Sequence, residues 1–390
     1  MGIQPAPRTH RRQTPRSLLQ PDASVSLVPA AAQIVVVGVG GAGNNAINRM
    51  IEAQIHGVRF FALNTDAQAL ALSQATECLC LGEELTQGLG AGGNPAIGAQ
   101  AAEASRHELK EALQDADLIF LAAGMGGGTG TGAAPIVAQI ARELGALVVG
   151  TVTLPFSFEG SRRRKVAQEG IRLLSESVDA LIVVPNDRLL QVVGKDRTLA
   201  EAFRLADDIL RQGVQGMTEV ITVPGLVNVD FADVRTVMHQ AGLALMSIGE
   251  GSGDKGAEQA AQMAVAGGWL GASIRGAKRV LLNITGGPHL TLFEVTQIAS
   301  QVREAVDENA DMIFGAVIDP EMKDKIRVTL VAGGMSSVTG EPGVKQSLQL
   351  KEAGERADAQ TETTDHASPA SISPVLTGRA MRGIPGQANQ

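Results

Sequence analysis

The sequence predicts an α/β fold in two parts: a Rossmann-like N-terminal domain, then a long central helix and a smaller α/β domain with a mixed sheet. Two glycine-rich turns carry most of that prediction. They are Gly38 to Gly43 (GVGGAG) and Gly124 to Gly132 (GMGGGTGTG), each set between a buried apolar run and a stretch of helical spacing. The third observation is a change of pattern after about Val234, where strands and helices keep alternating with no glycine fingerprint.

At 390 residues, with 44% hydrophobic and 19% charged residues, the chain can hold two domains and a sizeable core. Aromatics make up 3%, with no tyrosine, which excludes a protein that stacks bases along a single strand. A net charge of −8 speaks against nucleic acid or a membrane surface as partner. Cys78 and Cys80 are too close for an ordinary disulfide and too few for zinc, so they read as reduced thiols and no protein-built metal site is expected. No apolar run approaches the roughly 20 residues that span a bilayer, and no apolar signal core lies near the N-terminus, so no direct membrane insertion is expected.

Residues 1–31 carry Arg8, Arg11, Arg12 and Arg16 but a single acid, Asp22, and read as a disordered basic tail; a short organelle transit peptide is the alternative. Ile34 to Val37 form the first strand, followed by Gly38, Gly40 and Gly43 and a helix opening at Asn44 or Asn45. Val58 to Leu63 form the next strand. Gly88 to Pro95 is a third glycine turn, either a loop closing over a terminal phosphate or a plain connector, and a helix through Ala101 to Leu113 follows. Asp117 to Ala123 is a buried strand. The helix after the 124–132 loop carries Pro135, which suits a first turn, where a missing N–H costs little.

Strand, glycine turn and helix start together make an anion site, because free N–H groups of a first turn point at the ligand. Thr129 and Thr131 add hydroxyls. The loop has no lysine and so is not the GxxxxGK[ST] phosphate loop; backbone dipoles, a metal ion or a distant arginine must meet the charge. Gly38-x-Gly40-x-x-Gly43 also matches the dinucleotide fingerprint, with Asp66 about where a ribose-binding acid belongs. A dehydrogenase needs no second glycine loop, however, and two such loops ending neighbouring strands indicate a clamp on a nucleoside di- or triphosphate.

Leu147 to Leu154 is a further strand. After it, Glu159 and Arg163 lie four apart at a helix start. They read either as a surface ion pair worth a few tenths of a kcal/mol or as ligands of ribose and phosphate. Leu181 to Val184 is a strand ending in PNDRLL, and a long helix starts at Thr198. On it, Phe203 and Asp207 are i and i+4 and share one face. An aromatic ring beside a carboxylate suits guanine, whose N1–H and exocyclic amine are adjacent donors that adenine lacks. Asn228, Asp230 and Asp233 lie where the chain re-enters a helix. The plain reading is an N-cap and a first-turn acid; the functional one is a carboxylate pair that polarises a water for attack on a phosphate. Strands at 243–249, 279–287, 312–319 and 326–334 and helices at 254–266 and 292–307 make the second domain, and from about Gly340 the chain is polar and reads as disordered.

GVGGAGNNAINRM, NTDAQAL, GMGGGTGTGAAP, PFSFEG, PNDRLL and NVDFADV stand in this order through about residues 33–334. In them the chain resembles the FtsZ cell-division GTPases of the tubulin superfamily. The resemblance implies a tubulin-like fold with a GTP-binding domain over 32–197, a central helix over 198–220 and a C-terminal activation domain over 221–335, between a tail at 1–31 and a linker and tail at 336–390. It implies GTP or GDP as ligand and Mg²⁺ as the missing cation. Residues Gly41, Ala42, Gly43, Asn44 and Asn45, with Gly128, Thr129 and Gly130, would hold the phosphates. Glu159 would bind ribose, Arg163 would lie by the phosphates or sugar, Asn186 and Asp207 would contact guanine, and Phe203 would stack on it.

Asn228, Asp230 and Asp233 match the loop that this family inserts into the nucleotide site of the next subunit. The partner would be a second copy of the chain, head to tail, in a cytoplasmic ring at midcell with its regulators and membrane tethers. The C-terminus, GRAMRGIPGQANQ, departs from the family's acidic-apolar tail: Ile384 and Pro385 persist, but Gly383 replaces the acid and the Phe-Leu pair is gone, so tether docking there is not implied. Two other readings remain at this stage: a tubulin-like filament that segregates plasmid or phage DNA, and an NAD-dependent enzyme resting on Gly38 to Gly43.

Overall fold

The computed structural model describes residues 32–192, 198–223, 225–268 and 273–335; the expected tails at 1–31 and 336–390 lie outside the described residues. The chain opens with β1 (Ile34–Val39), α1 (Gly40–Glu52), β2 (Arg59–Asn64), α2 (Ala67–Ala71), β3 (Glu77–Cys80) and α3 (Glu83–Thr86). It continues through α4 (Pro95–Ala104), α5 (Arg106–Leu113), β4 (Leu118–Gly124), α6 (Thr129–Glu143), β5 (Leu147–Leu154), α7 (Ser161–Ser177), β6 (Ala180–Pro185) and α8 (Asn186–Val192). The long helix α9 (Leu199–Thr222) and α10 (Phe231–Met238) lead to β7 (Gly242–Ser252), α11 (Gly256–Val265), β8 (Arg279–Gly286), α12 (Leu292–Ala305), β9 (Asp311–Ile318) and β10 (Lys325–Gly333).

All ten strands form one sheet, in the order β3-β2-β1-β4-β5-β6-β7-β10-β8-β9. The first six strands pair in parallel, as near-continuous apolar runs covered by helices on both faces should. Along β1 the side chains alternate: Val36 enters a core with α1 and α9, while Val35 and Val37 enter another with α4 to α7. A third core, built on β8, β10, α11 and α12, belongs to the C-terminal part.

The mixed sheet expected for the second part is present, but it is not a separate sheet. Strand β7 belongs to both: Gly242 to Ala244 pair in parallel with β6, and Leu245 to Ser252 pair antiparallel with β10. Eleven residues make it long enough to serve two neighbours in turn.

Three helix boundaries differ from the expectation. Both α1 and α6 begin earlier, at Gly40 and Thr129, so Gly40, Gly41 and Gly43 lie in the first turn of α1, and Gly130 and Gly132 in that of α6. Intrinsic propensity argues against glycine in a helix, but packing outweighs it here. A Cβ at Gly43 would lie 2.3 Å from the Ala122 carbonyl oxygen, and one at Gly132 would lie 1.9 Å from that of Pro95. Pro135 is therefore the seventh residue of α6, not in its first turn, and it removes the donor to the carbonyl of Thr131. The single helix expected over 101–113 is two, broken at Ser105, whose Oγ accepts the Gly82 N–H at 3.0 Å.

Thr198 and Glu201 form a reciprocal capping box that starts α9. Its 24 residues run about 36 Å at 1.5 Å per residue.

Candidate functional site

The C-terminal ends of β1, β4, β5 and β6 open onto a cleft of about 820 Å³, counting space open to solvent. Its walls are Val39 to Ala42 after β1, Gly124 to Gly130 (Gly126 excepted) after β4, Thr153, Pro155, Glu159 and Arg163 after β5, Asn186 after β6, and Phe203, Ala206 and Asp207 on α9. Ligands bind at this edge of parallel sheets because the loops there are free to vary and helix N-termini converge.

Two helix starts face the cleft, and neither Val39 nor Gly128, the capping positions of α1 and α6, supplies a side-chain cap. Their first-turn N–H groups are left for an anion. No acid stands in either first turn. Gly41 and Gly127 are bare on the wall: a Cβ at either meets nothing within 4 Å, so internal packing does not account for the absence of a side chain there. Gly126, at φ +102°, adopts a conformation few other residues tolerate, and its N–H is held by Thr131 Oγ1 at 2.8 Å. The Thr131 hydroxyl is therefore spent inside the loop. That of Thr129, 2.6 Å from Thr65 Oγ1, remains at the cleft.

The end of the cleft against α9 is built differently. Phe203 stands 40% exposed, its edge against buried Phe156 at 5.3 Å. One turn on, burial pushes the Asp207 carboxyl up to about 7; Arg49 pulls it down only partly and Asp208 adds to the rise. A half-buried acid with a cleft before it is a group suited to receive donors. Asn186 is 5% exposed, and its Oδ1 has no protein partner.

Glu159 and Arg163 do form the expected ion pair; Glu159 is also held by the Phe156 N–H at 2.9 Å, and Arg163 reaches outward with its side chain 57% exposed.

Ten of the expected ligand residues thus line one cleft: Gly41, Ala42, Gly128, Thr129, Gly130, Glu159, Arg163, Asn186, Phe203 and Asp207. Three do not. Gly43 faces β4; Asn44 is buried at 3% exposure with both Nδ2 and Oδ1 unpartnered; Asn45 is exposed. Sequence reasoning missed Val39, Met125, Thr153, Pro155 and Ala206, of which Thr153 and Pro155 could have been found as the residues ending β5. Asp66, the acid on which the nicotinamide reading depends, instead caps α2, accepting the N–H groups of Gln68 at 2.9 Å and Ala69 at 3.0 Å.

Asn228, Asp230 and Asp233 lie elsewhere. Asn228 Oδ1 accepts the Gly225 N–H at 2.6 Å, and Asp230 caps α10 by accepting the Asp233 N–H at 2.8 Å. The Asp233 carboxylate has no partner among the described residues, and all three side chains are exposed. Helix α10 is tied to the other edge of the sheet. Arg235 Nη2 reaches the carbonyl of Gly145, just before β5, and His239 meets Asp179 at 2.8 Å, just before β6. The eight residues of β5, about 26 Å, separate that edge from the cleft.

Residues 33–194 match the model of the Tubulin/FtsZ family GTPase domain, and residues 242–336 match that of the FtsZ family C-terminal domain. Among solved structures the chain is similar to an FtsZ dimer from M. jannaschii at 46% identity, over 78% of this chain and 88% of that one, with a TM-score of 0.75. A mutant FtsZ from M. jannaschii gives 45% identity over 80% and 94%, with a TM-score of 0.77. CetZ2 from Haloferax volcanii shares the fold at 21% identity, over 85% and 100%, with a TM-score of 0.68. The cleft lies mostly in the part that matches the GTPase domain, and with two family models together spanning well over half of its length the chain belongs to the tubulin/FtsZ family of GTP-binding GTPases.

Proposed function

We propose that this GTPase assembles head to tail, and that each GTP is hydrolysed at the junction where one copy's Asn228–Asp233 loop meets the next copy's cleft. One observation carries the proposal: the cleft and the acids stand at opposite ends of β5, so the fold of a single chain does not bring them together. Stacking copies along that axis does. The similarity to a protein described as an FtsZ dimer supports pairing of copies. By family, the filament serves as the ring of a dividing cell, at the division site in the cytoplasm. Regulators and tethers of such a ring are part of the same proposal, and no helix among the described residues is long and apolar enough to cross a membrane.

In this reading Asp207 accepts from guanine N1–H and the exocyclic amine, Asn186 meets the base through its unpartnered Oδ1, and Phe203 covers its face. Glu159 accepts a ribose hydroxyl. The starts of α1 (Gly41 and Ala42) and α6 (Gly128 to Gly130) donate N–H groups to the phosphates, and Arg163 adds charge at the rim. Among the described residues no cluster of three His, Cys, Asp or Glu could hold a metal by itself. Mg²⁺ therefore fits as an ion carried on the phosphates, with Thr129 the hydroxyl at hand, and it would neutralise the charge that no lysine meets. From the next copy, Asp233 acts as the water-polarising base: Asp230 Oδ1 is occupied as a cap, while the Asp233 carboxylate is free.

Phosphate release measured across protein concentrations, with light scattering alongside, tests this. Turnover should appear only above a threshold concentration, together with scattering. Turnover proportional to protein from the lowest concentration would mean a site complete in one chain. Asp233→Ala should bind GTP normally and lose about 10²- to 10⁴-fold in turnover.

A further inference from the structure

The cleft draws its base and ribose contacts from separate elements, and a polar cluster just outside it ties two of them together. Glu159 ends a short 3-10 turn, Ser157–Glu159, whereas Asn186 opens α8. One residue past Asn186, Asp187 turns both carboxylate oxygens onto that turn. The Ser157 N–H donates to Oδ1 at 2.8 Å, and the Ser157 hydroxyl donates to Oδ2 at 2.5 Å. Arg164, in the first turn of α7, completes the cluster, donating through Nη2 to Ser157 Oγ at 2.8 Å and to Asp187 Oδ2 at 2.7 Å. None of the three lines the cleft. The other side of the turn is held by apolar packing, with the Phe156 ring stacked on Phe158 at 5.1 Å and set edge-on to Phe203.

We propose that Asp187 is a positioning residue for nucleotide binding: through Ser157 it fixes the turn carrying Glu159 in register with Asn186, so that ribose and base are met together. The proposal rests on the reading of the cleft given above. Its logic is geometric. Glu159 and Asn186 must reach adjacent parts of one rigid nucleoside, and a hydrogen bond is lost within a few tenths of an ångström beyond its normal range. A stability role is a poor explanation for the cluster. The Arg164 and Asp187 side chains are 49% and 32% exposed, and ion pairs that open to water stabilise a fold little. The effect belongs in ligand binding.

The test compares Asp187→Ala, Asp187→Asn and Asp207→Asn with the parent protein. GTP and 2′-deoxy-GTP affinities, KM and kcat above the assembly threshold, and the melting temperature without nucleotide are measured for each. Asp187→Ala should raise Kd and KM for GTP about 5- to 20-fold, with kcat within about twofold of the parent and the melting temperature nearly unchanged. Its preference for GTP over 2′-deoxy-GTP should shrink, since Glu159 is the group displaced. Asp187→Asn keeps an acceptor for the Ser157 N–H and should fall between. If Asp187→Ala binds GTP like the parent while Asp207→Asn does not, the positioning role is wrong and the cleft stands. A fall in kcat and melting temperature at unchanged KM would also overturn it, as a merely structural effect. If Asp207→Asn too leaves GTP affinity intact, the reading of the cleft fails first, and this proposal with it.

Discussion

Replacing Asp207 by asparagine tests the base end of the cleft with a magnitude that can be worked out beforehand. In the nucleotide-free protein, burial raises the Asp207 carboxyl to about 7. Guanine presents two adjacent donors, so the bound form needs the carboxylate. Binding therefore releases a proton below pH 7, and GTP affinity should fall about tenfold per unit as pH drops below that point while staying flat above it. Asparagine removes this dependence. It also offers one acceptor where two are needed and turns its amide N–H₂ on the second donor. Losing one hydrogen bond to a charged acceptor, weakening the other to a neutral one and setting donor against donor costs about 3–4 kcal/mol in all, or roughly 10²- to 10³-fold in affinity. Xanthine carries a carbonyl where guanine has the amine, so Asp207→Asn should prefer XTP to GTP.

The same substitution should act on stability with a definite sign. A carboxyl whose folded value lies above its unfolded value stabilises fully below the unfolded value, near 4, and that contribution is lost as pH rises through 7. The nucleotide-free Asp207→Asn protein should thus be more stable than the parent at pH 8, by about 2–3 kcal/mol after allowance for partial solvent access, and nearly equal at pH 4. Titration calorimetry with GTP and XTP at pH 6, 7 and 8, with urea melts at pH 4 and 8, reads both effects. GTP binding within threefold of the parent, with no gain for XTP, would refute the reasoning.

Other substitutions separate ligand approach from packing. Gly41→Val puts a side chain into open space on the cleft wall, so it should fold with a normal melting temperature yet lose GTP affinity at least about tenfold in a fluorescent-nucleotide displacement assay. Gly132→Ala does the reverse: a Cβ 1.9 Å from the Pro95 carbonyl oxygen pries α6 from α4, and urea melts should record about 3 kcal/mol of destabilisation. Asp179→Ala leaves the Val148 N–H without its 3.0 Å acceptor at a 3%-exposed position and frees His239 at the end of α10. It should destabilise by about 2–4 kcal/mol, read by thermal melts, and lower assembly-dependent turnover more than GTP affinity.

Much of this site was legible in the chain. Leu147 to Leu154 and the run ending at Gly124 read as strands because their apolar residues are contiguous, and Phe203 and Asp207 read as one face because a helix repeats every 3.6 residues. The helix starts at Gly40 and Thr129 were hidden, since glycine argues against helix and only the backbones of β4 and α4 explain it. The break at Ser105 was hidden as well, because its partner is Gly82, on the far side of a loop.

The sequence by itself determined the strands, the glycine turns and the pairing of Phe203 with Asp207 on one helix face, because those follow from neighbours within a turn or two of one another. Only the tertiary structure decided that Gly43 and Gly132 serve packing while Gly41 faces open space, and that β7 joins two sheets into one. It alone put the free carboxylate of Asp233 a full strand length from the cleft. These outcomes depend on which distant segments touch, and in a close-packed interior that is settled by volume and direction rather than by local preference.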